Sequence, residues 1–180
     1  MNWRTDCLEQ PCETLIKMTI KTASSYCCSI FCAIAIIVSL ATNYWIEFGD
    51  ESLNHHGGLL EICYENEEHG PFCSRFSELS MPRLMVIGLY IIALLLTLVA
   101  FIFVTVYCVT GKYYFPIGRV VTCFLGSAVA VGVALIQYAV TYKDVDQEKW
   151  LWFSFSWSYG LGWSMFGMYI VTVVLLFADK

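Results

Sequence analysis

The sequence predicts an integral membrane protein built from four helices in a single domain. Its 180 residues are 58% hydrophobic and only 14% charged, a composition more apolar than that of soluble domains. Four segments contain no charged side chain, and each is long enough to cross a bilayer, which takes about 20 residues. Because lipid cannot satisfy an open backbone, each segment must close its own hydrogen bonds as a helix. These segments are 22–46, 84–111, 120–142 and 150–178.

The remaining segments are short, and only one connection has room for a folded element of its own. The polar residues that precede the first span, and the length of that span, argue against a cleaved signal peptide. In chain order the sequence predicts an N-terminal segment 1–21, span 22–46, a first loop 47–83, span 84–111, a middle loop 112–119, span 120–142, a second loop 143–149, span 150–178 and a C-terminal segment 179–180.

Basic residues indicate the orientation, because short loops rich in Lys and Arg stay in the cytoplasm. The side with both termini and the middle loop has six basic and four acidic residues. The opposite side has four basic and eleven acidic residues. We therefore expect a multi-pass protein of the plasma membrane, with cytoplasmic N- and C-termini and acidic outer loops.

In this orientation two of the nine cysteines, Cys63 and Cys73, lie outside, where disulfides persist. We expect them to pair, since no other outer cysteine competes, and closing this short loop would add about 2 to 4 kcal/mol of stability. The alternative is a metal site formed by both cysteines with His55, His56 and His69. Their spacing matches no zinc pattern, so we expect no bound metal.

Other cysteines lie near the predicted cytoplasmic ends of the spans, where thiols can be palmitoylated. A buried free cysteine is also an ordinary small apolar residue, so both interpretations stay open. The candidates for palmitoylation are Cys27, Cys28, Cys108 and Cys123.

The spans contain no ionisable group at depth, which argues against a pump or coupled transporter. We expect Gln137 and Thr97, the deepest polar residues, to hydrogen-bond neighbouring helices. Nucleophile elbows, phosphate loops, dinucleotide fingerprints and basic aromatic patches are all absent from the sequence. We therefore expect no enzymatic activity, no cofactor and no nucleic-acid partner. Small residues that would allow close helix packing are Gly126, Ala130, Gly132, Gly160 and Ser164.

Two motifs lie far apart in the chain. The first is Ala41-Thr42-Asn43-Tyr44-Trp45, followed by Gly58-Leu59-Leu60-Glu61-Ile62-Cys63 and then Cys73. It resembles the first-loop signature of the claudin superfamily, which is a tryptophan, Gly-Leu-Trp and two cysteines, with Leu60 in place of the second tryptophan. The second is FSWSYGLGW from Phe155 to Trp163, which resembles the lens-fibre, epithelial-membrane, peripheral-myelin, claudin-domain-containing and natural-killer-granule proteins. Its candidate packing residues are Phe155, Trp157, Tyr159, Gly160, Gly162 and Trp163.

The resemblance implies a left-handed four-helix bundle whose first extracellular loop forms a small antiparallel β-sheet held by the cysteine pair. The implied fold class is thus an all-α membrane bundle with one outer sheet. Two runs, 44–48 and 58–64, alternate partly in polarity as strands do, and a polar segment predicted as a turn separates them. Trp45 is implied to pack the base of the sheet against the membrane surface.

The resemblance implies a structural or adhesive protein that organises membrane contacts or cell junctions. Its partners would be the lipid bilayer, copies of itself or other membrane proteins in cis, and a trans partner on a neighbouring cell. The alternatives are an accessory subunit of an ion channel or receptor and a vesicle or granule trafficking protein. The short C-terminal segment lacks the terminal valine motif of barrier-forming claudins, and the outer loops lack an Asn-x-Ser/Thr acceptor for glycosylation.

Overall fold

A computed structural model describes residues 6–50, 53–66, 70–75, 80–110, 117–143 and 152–177. Most of them form four helices: α1 (Asp6–Ala41), α2 (Met81–Thr110), α3 (Ile117–Lys143) and α4 (Trp157–Phe177). The described strands are β1 (Ile46–Asp50), β2 (Leu53–Gly57), β3 (Glu61–Asn66), β4 (Gly70–Arg75) and β5 (Trp152–Phe155). The predicted combination of a mostly helical chain with a small antiparallel sheet is confirmed.

Each helix contains a segment long and apolar enough to cross a membrane. Pro82 lies in the first turn of α2, where its missing N–H breaks no helical hydrogen bond. At the C-terminal end of α1, the Thr42 N–H donates to the Val38 carbonyl oxygen (3.1 Å). The helices pack in the cyclic order α1, α2, α3, α4, each mainly against its two neighbours.

The first and fourth helices differ most from the predicted spans. α1 begins before the predicted span 22–46 and ends at Ala41. α4 begins at Trp157, whereas the absence of charge predicts a start at 150. Strand pairing explains the late start of α4: β5 pairs with β1 and takes residues 152–155 from the start of the fourth uncharged run, while β1 takes Ile46 from the end of the first.

The five strands form one antiparallel sheet in the order β4-β3-β2-β1-β5. β1 and β3 overlap the two runs predicted to be strands. The sequence does not predict the other three: β2 lies in the polar segment predicted as a turn, β4 lies in the first loop beyond both runs, and β5 lies in the predicted fourth span. These differences have one cause: each strand is formed by pairing with its neighbours, and its own residues carry only a weak signal.

A cluster of three hydroxyl groups lies near the middle of α2, α3 and α4, among the helices of the bundle. The Thr97 hydroxyl is fully buried and donates to the Ala93 carbonyl oxygen (2.7 Å). It therefore accepts from the Tyr169 hydroxyl (2.6 Å), and Ser127 lies 3.3 Å away. The predicted hydrogen bonding of Thr97 to neighbouring helices is confirmed.

The small residues of the third and fourth spans do not all lie at helix contacts. A Cβ at Gly126 would be 3.0 Å from a Leu96 methyl group, and one at Gly132 would be 3.2 Å from the Phe166 ring. A Cβ at Gly160 would meet no atom within 4 Å, and Ser164 is exposed. Gly126 and Gly132 of α3 thus lie at helix contacts, while Gly160 and Ser164 of α4 face outward.

Candidate functional site: the sheet and its attachment to the helices

Trp45 joins the end of α1 to the sheet and is completely buried. Its indole N–H donates to the Ser39 carbonyl oxygen of α1 (2.7 Å). Its ring centroid lies 5.4 Å from that of Tyr90, 4.7 Å from that of Tyr138 and 6.3 Å from that of Tyr159. These tyrosines belong to α2, α3 and α4, and such aromatic pairs each add about 0.5 to 1.5 kcal/mol beyond the area they bury. Trp45 therefore contacts all four helices at the base of the sheet.

The turn after β2 fits closely against the end of α1. A Cβ at Gly58 would lie 2.7 Å from both the Asn43 Cα and the Thr42 carbonyl oxygen, so this approach requires glycine. Leu59 is completely buried. Leu60 is half-buried. It stands where the first-loop signature described above has its second tryptophan. The first-loop motif thus comes together with Trp45 at one junction.

A disulfide lies next to this junction. Cys63 of β3 and Cys73 of β4 oppose each other in the strand register and are joined by a disulfide, as predicted. The Asn43 side-chain amide donates to the Glu61 carboxylate (3.3 Å) and lies 3.6 Å from the Cys63 sulfur. The motif residues at the end of α1 therefore hold the strand that carries the disulfide.

The disulfide rules out the alternative metal site, because Cys63 and Cys73 cannot act as thiolate ligands once joined. His55 and His56 are consecutive on β2, so they lie on opposite faces of the sheet. His69 lies outside the described residues. Within the part of the chain that the structure describes, no group of three His, Cys, Asp or Glu side chains is placed to hold a metal ion.

An aromatic row crosses one face of all five strands. Its members are register partners in the order Phe153, Phe48, His55, Tyr64 and Phe72. The His55 ring centroid lies 5.4 Å from that of Phe48 and 5.0 Å from that of Tyr64. Phe48 and His55 are buried, whereas Tyr64 is 38% and Phe72 68% exposed. The row therefore stabilises the middle of the sheet and presents apolar surface on β3 and β4.

Burial determines the protonation of His55. Desolvation lowers the pKa of its imidazole below the ordinary value of 6.5, and the positive charge of a protonated His56 would lower it further. His55 is consequently neutral at pH 7. Acid conditions would place a charge inside the aromatic row.

Two serines attach the fourth helix to the first loop. The Ser158 N–H donates to the Tyr44 carbonyl oxygen (3.1 Å), and its hydroxyl lies 2.7 Å from that of Thr42. The Ser156 hydroxyl donates to the Glu47 carboxylate (2.5 Å). Sequence reasoning missed these residues. The signal that could have found them is the alternation of serine with aromatic residues just before α4, which is typical of a strand.

The string from Phe155 to Trp163 contains only one tightly packed glycine. A Cβ at Gly162 would lie 2.6 Å from both the Tyr90 hydroxyl and a Leu135 methyl group. A Cβ at Gly160 would meet no atom within 4 Å. The close contact between α4 and its neighbours therefore depends on Gly162.

The aromatic members of this string lie mostly outside. Phe155 ends β5, and Trp157 begins α4. Phe155, Trp157 and Trp163 are exposed, and Tyr159 is half-buried beneath them. These residues cover the outside of the molecule more than they pack its helices together.

The four palmitoylation candidates divide by accessibility. Cys27 and Cys108 are exposed, whereas Cys28 and Cys123 are buried. The Cys28 sulfur lies 3.9 Å from that of Cys32, one turn further along α1. Cys28 and Cys123 are therefore out of reach of an acyltransferase in this conformation, which leaves Cys27 and Cys108 as the accessible candidates.

The chain matches no protein-family model, and no curated protein matches it significantly.

Proposed function

We propose that this chain is a claudin-like protein with four transmembrane helices that organises membrane contacts through its outer sheet. The observation that carries the proposal is the junction at Trp45. There the motif residues, the strand bearing the disulfide and all four helices meet, so the sheet is held rigidly on the bundle. A rigid sheet outside a membrane suits the presentation of a fixed surface to a partner.

The outward faces of the helices support the membrane arrangement. Ile34, Ile102, Val129 and Val174, one from each helix, are each more than half exposed. Apolar surface of this extent would be unfavourable in water. A bilayer would cover it, and the same faces offer room for lateral association with other membrane proteins.

The disulfide supports the proposed orientation. Disulfides persist in oxidising compartments, and Cys63 and Cys73 lie on the side with eleven acidic and four basic residues. That side would be extracellular, at the plasma membrane, with both termini in the cytoplasm.

The experiment that tests the proposal compares cell borders in a mixed culture of expressing and non-expressing cells that lack junctions of their own. A structural or adhesive protein becomes enriched where two expressing cells meet. The Phe72→Ser variant, which removes the most exposed member of the aromatic row, reduces that enrichment. Ser74→Ala, on the same face of the same strand and also exposed, serves as the matched control and leaves it unchanged.

An even surface distribution would contradict trans adhesion and favour a second candidate, an accessory subunit of a channel or receptor. The observation that favours this candidate is the charge of the proposed outer side, which has eleven acidic and four basic residues, an excess of seven acidic ones. Two copies that face each other across a cell contact would therefore repel each other. Retention in internal membranes would instead favour a trafficking role.

A further inference from the structure

β5 is an edge strand with unusually apolar surroundings. It pairs with β1 on one side and is the last strand of the described sheet on the other. Its Trp152 is 42% exposed and its Phe155 40% exposed, and Trp157, at the start of α4, is 51% exposed. An edge strand facing water usually carries charge or proline as protection against aggregation, and β5 has neither.

The aromatic side chains continue from this edge down the outside of α4. The ring centroids of Phe155 and Tyr159 are 4.3 Å apart, those of Tyr159 and Trp163 6.4 Å, and those of Trp163 and Phe166 5.7 Å. Trp163 lies six residues after Trp157, which is about 9 Å further along the helix axis. The surface formed by β5 and Trp157, which we call the β5 edge, is thus continuous with the outward face of α4.

The backbone limits where the β5 edge can lie. An edge strand has N–H and C=O groups without a strand partner, and such groups cannot be exposed to hydrocarbon. From Trp157 onward the backbone is helical and satisfies itself. The boundary between hydrocarbon and the polar headgroup layer therefore falls near Trp157, and the β5 edge lies in the headgroup layer.

We propose that the β5 edge binds the phospholipid surface of the outer leaflet. The indole N–H of Trp152 is a donor suited to phosphate and ester oxygens, and its ring is suited to the upper acyl chains. The edge of β5 that has no partner strand in the described sheet offers further polar groups. Because β5 pairs with β1, which follows directly from Trp45, lipid contact here would set the angle between the sheet and the bilayer. This inference rests on the membrane arrangement under "Proposed function".

Lipid quenching of tryptophan fluorescence tests the proposal. The full chain is reconstituted in phosphatidylcholine vesicles in which the acyl chains carry bromine either near the headgroup or near the methyl end. The emission of Trp152 is obtained as the difference between the wild type and Trp152→Phe, and that of Trp163 as the difference between the wild type and Trp163→Phe. Both substitutions keep an aromatic ring. Circular dichroism checks that each variant folds.

The expected result is that Trp152 emission is quenched by bromine near the headgroup and hardly at all by deep bromine. Trp163 emission is quenched by bromine placed further down the chain. Equal or stronger quenching of Trp152 by deep bromine would overturn the proposal by placing the strand in hydrocarbon. So would a lack of Trp152 quenching alongside normal Trp163 quenching, since it would place the strand in water. If neither residue were quenched, the membrane arrangement itself would fail.

Discussion

Single residues determine how the sheet is joined to the bundle. Trp45 contacts every helix, through one hydrogen bond and three tyrosine rings. Gly58 lets the turn after β2 approach the backbone of Thr42 and Asn43, directly after α1. Neither role follows from residue type alone, because a tryptophan at the end of a span is equally expected as a membrane-interface residue.

Gly58→Ala is expected to destabilise the protein by about 1 to 3 kcal/mol, because the new Cβ would meet backbone atoms that cannot rotate away. Gly57→Ala is the matched neighbour, since the nearest atoms to its Cβ belong to side chains, those of Ile46 at 3.1 Å and Phe48 at 3.8 Å. Thermal unfolding in detergent should show a clearly larger loss for Gly58→Ala. Equal losses would mean that the turn does not depend on this contact.

His55 is expected to make the sheet acid-sensitive. Because its pKa is lowered in the folded state, the unfolded chain binds a proton more readily, and stability falls as the pH drops through the ordinary value of 6.5. Above that pH the side chain is neutral in both states and contributes no pH dependence.

Thermal unfolding of the wild type and of His55→Gln at neutral and mildly acidic pH measures this effect. The variant should lose less stability on acidification than the wild type. His56→Gln, on the opposite face of β2, is the control and should keep most of the wild-type loss. A wild-type profile that is flat across this range would contradict the prediction.

The elements differ in how far they stabilise themselves. The helices satisfy their own backbones, and their bounds follow mainly from apolar length. Each strand depends on a neighbour, and β5 is formed from chain that would otherwise be read as part of a span. α4 has two kinds of contact. At its start, Ser158 is hydrogen-bonded to the segment between α1 and β1. One turn further on, Gly162 packs against α2 and α3.

Gly162→Ala is expected to cost about 1 to 3 kcal/mol through overpacking against Tyr90 and Leu135, both of which are fully buried. Gly160→Ala, two residues earlier in the same helix, meets no atom within 4 Å and gains helix propensity of about 1 kcal/mol. Unfolding measurements in detergent should therefore give opposite signs for the two variants. A stabilising Gly162→Ala would show that α4 can shift away from its neighbours at little cost.

At the scale of the whole molecule, the sheet lies at one end of the bundle, together with the end of α1 and the start of α4, which attach to it. The start of α1, the end of α2, the start of α3 and the end of α4 lie at the other end, because four consecutive helices alternate in direction. In the proposed orientation, the end with the sheet would face the oxidising exterior and the other end the cytoplasm.

An epitope inserted between Glu68 and His69, in the connection after β3, is expected to bind antibody on intact cells. Epitopes at either terminus should bind only after permeabilisation. The matched control is an epitope in the middle loop 112–119, which should behave like the termini. Terminal staining of intact cells would reverse the proposed orientation.

Much of the site could be predicted from the sequence because its signals are local. The disulfide followed from the position of two cysteines, and Thr97 followed from a lone polar residue in an apolar run. The fourth-helix string was harder: its glycines look alike in sequence, yet Gly162 packs and Gly160 does not. Which glycine faces a neighbouring helix depends on how α4 is rotated about its own axis. A difference in polarity between the two faces of a helix would reveal that rotation, but the outward face of α4 is as apolar as its inward face.

The sequence by itself determined the number of apolar helices, because long uncharged runs leave the backbone only one way to satisfy itself. It also determined the cysteine pair. Only the tertiary structure decided that β2 and β5 are strands, that five residues align as an aromatic row, and that Trp45 is the point where sheet and bundle meet. Those features depend on contacts between segments far apart in the chain, such as Phe48 with Phe153, and no local pattern encodes the partner across such a distance.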